Sequence, residues 1–139
     1  MYKNVIFVAV AVAGVVAVAS LWPKQTCEAK DACGAPQAKL SRADSISSEV
    51  TKRKALLVDV REPSEFASGH AVDAQNIPLG NVQAGGFNEN DKSKPIYVYC
   101  RSGQRAGVAK IALEKQGYTN VENLGGLNDW LTMGGKTTR

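Results

Sequence analysis

Apolar runs and helix-spaced apolar residues alternate along most of this chain. Ala55–Val60 is a compact apolar run bounded by charge, and Pro95-Ile96-Tyr97-Val98-Tyr99 is apolar, β-branched and aromatic. Both patterns predict short buried strands. Asn76–Leu79, ending around Pro78, and Tyr118–Leu124 predict two more extended segments. A helix is expected over Arg105–Gln116, where Val108, Ile111, Ala112 and Lys115 are spaced like one helical face. Another is expected over Ile46–Lys52, capped by Ser45 or Asp44. Pro63-Ser64-Glu65-Phe66 reads as a helical turn, with Pro near its start where the lost N–H costs nothing. Gly126–Met133 reads as a last helix closed by Gly134-Gly135. Gly85-Gly86 and Asn88–Lys94 are polar and loop-like, and no internal repeat is visible. Short strands separated by helices imply βαβ units and an α/β fold with a small, mostly parallel sheet.

The N-terminus has a different character. An uncharged run rich in valine and alanine extends from Val5 to Trp22 behind Lys3, with Ala17-Val18-Ala19 before Ser20. That pattern reads as a signal peptide over residues 1–19 with an A-x-A cleavage site. The competing reading is an uncleaved anchor to about residue 22, with Trp22 and Lys24 at the interface. Either reading places the domain outside the cytoplasm, in the periplasm or anchored to the inner membrane facing it. Residues 20–43 mix Pro, Gly, Ala, Lys and Gln without period and read as an exposed linker.

With 139 residues the chain is long enough for one domain and one core. Its formal charge of +4 is mild, and no basic cluster is long enough to suggest nucleic acid. That sign gives a slight preference for anionic small molecules. Three cysteines far apart and a single histidine, His70, make no metal-ligand spacing. Cys27 and Cys33 lie in the linker, where an oxidising compartment favours a disulfide between them. A redox relay from this pair to the third cysteine is the alternative.

That third cysteine carries the chemistry. Cys100 stands at a predicted strand end and is followed by Arg101, Ser102, Gly103, Gln104 and Arg105, which lead into a predicted helix. Unpaired amides at a helix N-terminus stabilise negative charge, and adjacent arginines add fixed positive charge. A thiolate is therefore favoured, and Cys100 is the candidate nucleophile. Gly103 permits the tight turn. Asp59 and Arg61 end the first core strand, at the edge where ligands gather in open parallel sheets.

The Cys100–Arg105 loop resembles the active-site loop of a single-domain rhodanese, of the thiosulfate sulfurtransferase family. Three further segments are similar to that family in the same order. They are Leu56-Leu57-Val58-Asp59-Val60-Arg61-Glu62 with Glu65-Phe66, then Gly69-His70 with Asn76-Ile77-Pro78-Leu79, and then Gly117-Tyr118, Val121, Leu124-Gly125-Gly126-Leu127 and Trp130. The resemblance covers roughly residues 44 to 135 and is nearest to the small exported rhodaneses of the phage-shock type. It implies a rhodanese-like fold over residues 44–139, with helices on both faces of the sheet. It also implies an enzyme that moves the sulfane sulfur of thiosulfate onto Cys100 as a persulfide and then to cyanide or a thiol. The alternatives are a persulfide carrier serving a sulfur-accepting protein and a non-catalytic binding domain. No cofactor is expected, and membrane contact is expected only if the N-terminal segment is retained.

By the same resemblance Arg105 shapes the loop and binds the anionic substrate, and Arg101 meets it at the mouth, although an exposed, solvated arginine is an equal reading there. Asp59 supports the loop and Arg61 pairs with an acidic neighbour such as Glu65; a purely structural ion pair is the competing reading. His70 is a packing or turn residue, and Trp130, Phe66 and Leu127 fill the core. Related phosphatases and arsenate reductases have a loop one residue longer, so the Cys-x4-Arg spacing disfavours phosphate chemistry. One departure lies between His70 and Asn76, where Asp73 stands in place of a typical glycine and is expected to alter the turn.

Overall fold

Strands β1 (Leu56–Asp59), β3 (Gln75–Asn76), β4 (Ile96–Cys100) and β5 (Val121–Gly126) form one parallel sheet in the order β3-β1-β4-β5. This computed structural model describes residues 40–139. The expectations for the leader or anchor, for most of the linker and for Cys27 and Cys33 lie outside the described residues.

Strand periodicity explains how the sheet is covered on both faces. Val58, Ile96, Val98 and Cys100 point into one core with Ala106, Ala109 and Leu113 of α4 (Gln104–Lys115) and Val82 of α3 (Leu79–Gln83). Leu57 and Tyr99 point the other way, against Ile46 of α1 (Arg42–Thr51) and Trp130 of α5 (Leu127–Thr132). Helix α2 (Pro63–Ser68) begins at the expected proline. The architecture is the predicted α/β one.

Several details differ from expectation. Helix α1 starts earlier, inside the expected linker, because Ser41 is its N-cap and exchanges hydrogen bonds with Asp44. The segment after Asn76 turns at Pro78 directly into α3, which the sequence pattern hid behind Gly80. Two-residue strands β2 (His70–Ala71) and β6 (Thr137–Thr138) pair antiparallel and clip the C-terminal segment back onto the fold. On α4 the buried residues are Ala106, Ala109 and Leu113, whereas Val108 and Ile111 are exposed. Both stripes have helical spacing, and the smaller side chains take the face against the sheet.

Asp73 adopts φ +62°, in the left-handed region that favours glycine, and its carboxylate accepts a hydrogen bond from the Thr51 hydroxyl at 3.4 Å. The turn is thus accommodated by aspartate in a conformation glycine takes readily. His70 stacks on Phe66 with ring centroids 3.6 Å apart, and its Nδ1 lies 2.9 Å from the Phe66 carbonyl oxygen. Trp130 is fully buried and half-buried Leu127 packs against its cluster, whereas half-buried Phe66 stacks on His70 outside both core clusters and does not fill the core as expected.

Candidate active site

Strands β1, β4 and β5 bring Asp59, Cys100 and Gly126 to the same C-terminal edge of the parallel sheet. Strand β4 ends on Cys100, the chain turns through Arg101, Ser102 and Gly103, and α4 starts at Gln104. Gly103 caps α4 at φ +86°, and its N–H donates to Cys100 Sγ at 3.1 Å. Only 1% of Cys100 is exposed. Burial by itself pushes the thiol up, but N–H groups of Ala106, Ser102, Gly103 and Arg105 directed at the sulfur outweigh it. The net shift is downward, toward thiolate. A fixed ring of amides can hold an anionic sulfur without reorganising around it.

The loop is seated on the glycines of β5. A Cβ at Gly126 would fall against the Arg101 carbonyl oxygen and lie 3.3 Å from Ser102 Cα. A Cβ on Gly103 would lie 3.2 Å from Gly125 Cα. Asn123 completes the join, since its Nδ2 donates to the Gly103 carbonyl at 3.1 Å and its Oδ1 accepts from the Gly125 N–H at 2.8 Å. The sequence drew attention to Gly125 and Gly126 without a reason, and it passed over Asn123. A polar residue before paired glycines at a strand end was the available signal.

The arginines divide in a way the sequence did not show. Arg61 does not pair with Glu65. It folds back onto buried Asp59, donating from Nε and Nη2, and Nη2 also donates to the Gly69 carbonyl at 2.7 Å. Asp59 therefore holds Arg61 and is not bonded to the Cys100 loop directly. Glu65 instead receives Arg105, with Nη1 to Oε2 at 2.6 Å and Nη2 to Oε1 at 2.9 Å. That fork holds the Glu65 carboxyl down at about 2 and pushes the Arg105 guanidinium up. Arg105 also feels the Cys100 sulfur. Arg101 is exposed and borders a depression of about 320 Å³ with Arg61, Glu65, Ser68, Leu127 and Asn128. Gln104, the first residue of α4, is exposed.

A model of the rhodanese-like domain matches residues 42–133. The chain belongs to the rhodanese-like family. Among its relatives is YqhL, an uncharacterized protein of Bacillus subtilis, 47% identical over 85 residues, or 60% of this chain. That match spans 64% of YqhL, somewhat under two thirds. The thiosulfate sulfurtransferase PspE of Escherichia coli is 42% identical over 73 residues, covering 52% of this chain and 70% of PspE. The crystal structure of a rhodanese-like domain from Anabaena superposes with a TM-score of 0.56 at 30% identity, covering 61% of this chain and 99% of that domain. In this rhodanese-like chain the Cys100–Arg105 loop and its glycine seat both lie inside the matched residues. Among the described residues no group of three or more His, Cys, Asp or Glu side chains is arranged to hold a metal ion.

Proposed function

We propose that this rhodanese is a thiosulfate sulfurtransferase in which Cys100 carries the transferred sulfur. The observation that carries the reading is the buried Cys100 sulfur at the head of α4, accepting the Gly103 N–H at 3.1 Å, with the neighbouring loop amides favouring its thiolate. The Cys100 thiolate attacks the outer sulfur of thiosulfate. A new S–S bond forms at Cys100 as the thiosulfate S–S bond breaks, and that bond's electron pair leaves with sulfite. Cyanide or a thiol then attacks the terminal sulfur of the Cys100 persulfide, and the electron pair of the broken bond returns to Cys100 as thiolate. The loop amides stabilise the anionic sulfur before and after each transfer.

The donor assignment is supported by the small Cys-x4-Arg loop and by the name of the Escherichia coli relative. A domain working outside the cytoplasm is part of the proposal and is supported by the apolar Val5–Trp22 segment behind Lys3. The test is a rapid mix of the protein with thiosulfate, with sulfite measured against protein concentration. One sulfite released per Cys100 before any acceptor is added is the expected result, followed by thiocyanate when cyanide is supplied. Absence of sulfite release from folded protein would overturn the thiosulfate assignment.

A further inference from the structure

Gly103 donates its N–H to Cys100 Sγ at 3.1 Å from a left-handed backbone, φ +86°. Nothing in glycine itself favours that conformation, because glycine populates positive and negative φ about equally. With α4 fixed, rotation of Gly103 toward negative φ would swing the Ser102–Gly103 amide away from the sulfur. The choice between the two states is therefore made by the groups that hold Gly103 from outside.

Two donors meet on the Gly103 carbonyl oxygen. One is the Gly107 N–H, at 2.9 Å in the first turn of α4. The other is Asn123 Nδ2, at 3.1 Å and carried by β5. Together they occupy both lone pairs of that oxygen. The opposite end of the same side chain, Oδ1, accepts the Gly125 N–H at 2.8 Å. Gly125 is left-handed too, at φ +89°, and its Cα lies 3.2 Å from where a Gly103 Cβ would stand. Asn123 thus spans two left-handed glycines, one in the loop and one in the strand beneath it. A Cβ on Gly107 would come 3.5 Å from Asn123 Nδ2, so the amide lies close over the α4 backbone. Asn123 is exposed and fills no part of the core.

We propose that Asn123 is a positioning residue for Cys100: it selects the left-handed state of Gly103 and so keeps the Gly103 N–H on the sulfur. The proposal rests on Cys100 being the reacting residue. It makes the reactivity of a thiol on β4 depend on an uncharged side chain of β5 that makes no hydrogen bond to the sulfur. Replacing Asn123 by alanine alters no charge. The charged groups about the loop are Arg101, Arg105 of α4, Asp59 and Arg61 at the end of β1, Glu65 of α2 and Asp129 of α5, and all of them remain. A change in thiol ionisation then reports the loop amides. Partial loss of one amide from a thiolate weakens its ionisation roughly threefold to tenfold, or about half to one pH unit.

The test follows alkylation of Cys100 by iodoacetamide in the full chain across pH, read by mass on the peptide containing Cys100, so that Cys27 and Cys33 do not interfere. The thiolate sulfur bonds to the reagent's methylene carbon as iodide leaves with the electron pair of the broken bond, so the rate tracks the thiolate. Asn123→Ala should raise the midpoint by about half to one pH unit and slow alkylation roughly threefold to tenfold below the wild-type midpoint. In amide NMR spectra the Gly103 N–H should exchange with solvent faster in Asn123→Ala than in wild type. Tyr118→Phe is the control for general destabilisation, because it removes the acceptor of the Glu89 N–H and touches nothing in the loop. Its midpoint should equal that of wild type.

An unchanged midpoint in Asn123→Ala would overturn the proposal, whatever the variant loses in urea unfolding. So would unaltered exchange of the Gly103 amide, or an equal rise of the midpoint in Tyr118→Phe. Thiosulfate loading is measured on the same samples. If wild type fails to load while Asn123 still sets the alkylation midpoint, the thiosulfate reading fails and the positioning role stands.

Discussion

Gly126→Ala isolates the seat beneath the Cys100 loop. Gly126 has extended backbone at φ −94°, so alanine meets no conformational penalty there and the whole effect is steric. The new methyl would press on the Arg101 carbonyl oxygen, 3.0 Å from its carbon and 3.3 Å from Ser102 Cα. All three atoms are backbone, and β5 is held in register with Cys100, so the loop has to move. Overpacking of this kind costs about 1–3 kcal/mol of stability. The larger consequence is chemical. A hydrogen bond to a charged group is worth about 1.5–3 kcal/mol, so pulling one amide out of reach of Sγ weakens ionisation of the thiol about tenfold or more. The ultraviolet thiolate titration should move to higher pH, and sulfite release with limiting thiosulfate should fall on the acid side of that titration. Gly80→Ala is the control, because nothing lies within 4 Å of a Cβ there. A folded Gly126→Ala protein with a wild-type thiol titration and wild-type sulfite release would refute the claim that these amides tune Cys100.

The other consequences concern charge, packing and pH. Glu65 is lowered from 4.5 to about 2 in the folded protein, so its pair with Arg105 adds stability that is present above pH 4.5 and is lost as pH falls toward 2. Glu65→Gln should therefore cost about 1 kcal/mol at neutral pH, given the partial exposure of the pair, with the deficit vanishing in acid when urea melts are compared across pH. Tyr99 lies buried with its hydroxyl oxygen accepting from the Ala71 N–H at 3.0 Å. Tyr99→Phe orphans that buried donor and should cost about 1–3 kcal/mol in denaturant unfolding, with little change in the rate of Cys100 loading. The downward shift of the Cys100 thiol predicts that loading rises with pH and levels off below the range of an ordinary cysteine, as a pH series of sulfite-release rates would show.

The sheet and the place of Cys100 at its C-terminal edge were legible because local pattern and tertiary structure agree there. Ile96–Cys100 is a buried strand by composition, and the polar Arg-Ser-Gly-Gln-Arg run behind it has no place in a core. Choices among equivalent local patterns were not legible. Val108 and Ile111 have the same helical spacing as Ala106, Ala109 and Leu113, and only closeness to the sheet decides which stripe is buried. The carboxylate partners of Arg61 and Arg105 are likewise a matter of three-dimensional placement. Arg61 takes a residue two positions away and Arg105 one forty positions away, which no spacing rule ranks. Strand β6 was hidden because Thr137–Thr138 pairs only with His70–Ala71, and two residues carry no period. Asp73 shows the converse case, where a residue that departs from the family pattern adopts a left-handed backbone of the kind glycine takes readily.

The central claim is that the Cys100 sulfur accepts and carries a single transferable sulfur atom. The most direct measurement is the intact mass of the full chain after thiosulfate treatment, beside a Cys100→Ser variant. The account predicts a gain of one sulfur atom in the wild type, localised to the peptide containing Cys100, absent from the variant and discharged by cyanide. No gain in folded wild type, or a gain that survives in Cys100→Ser, would contradict it.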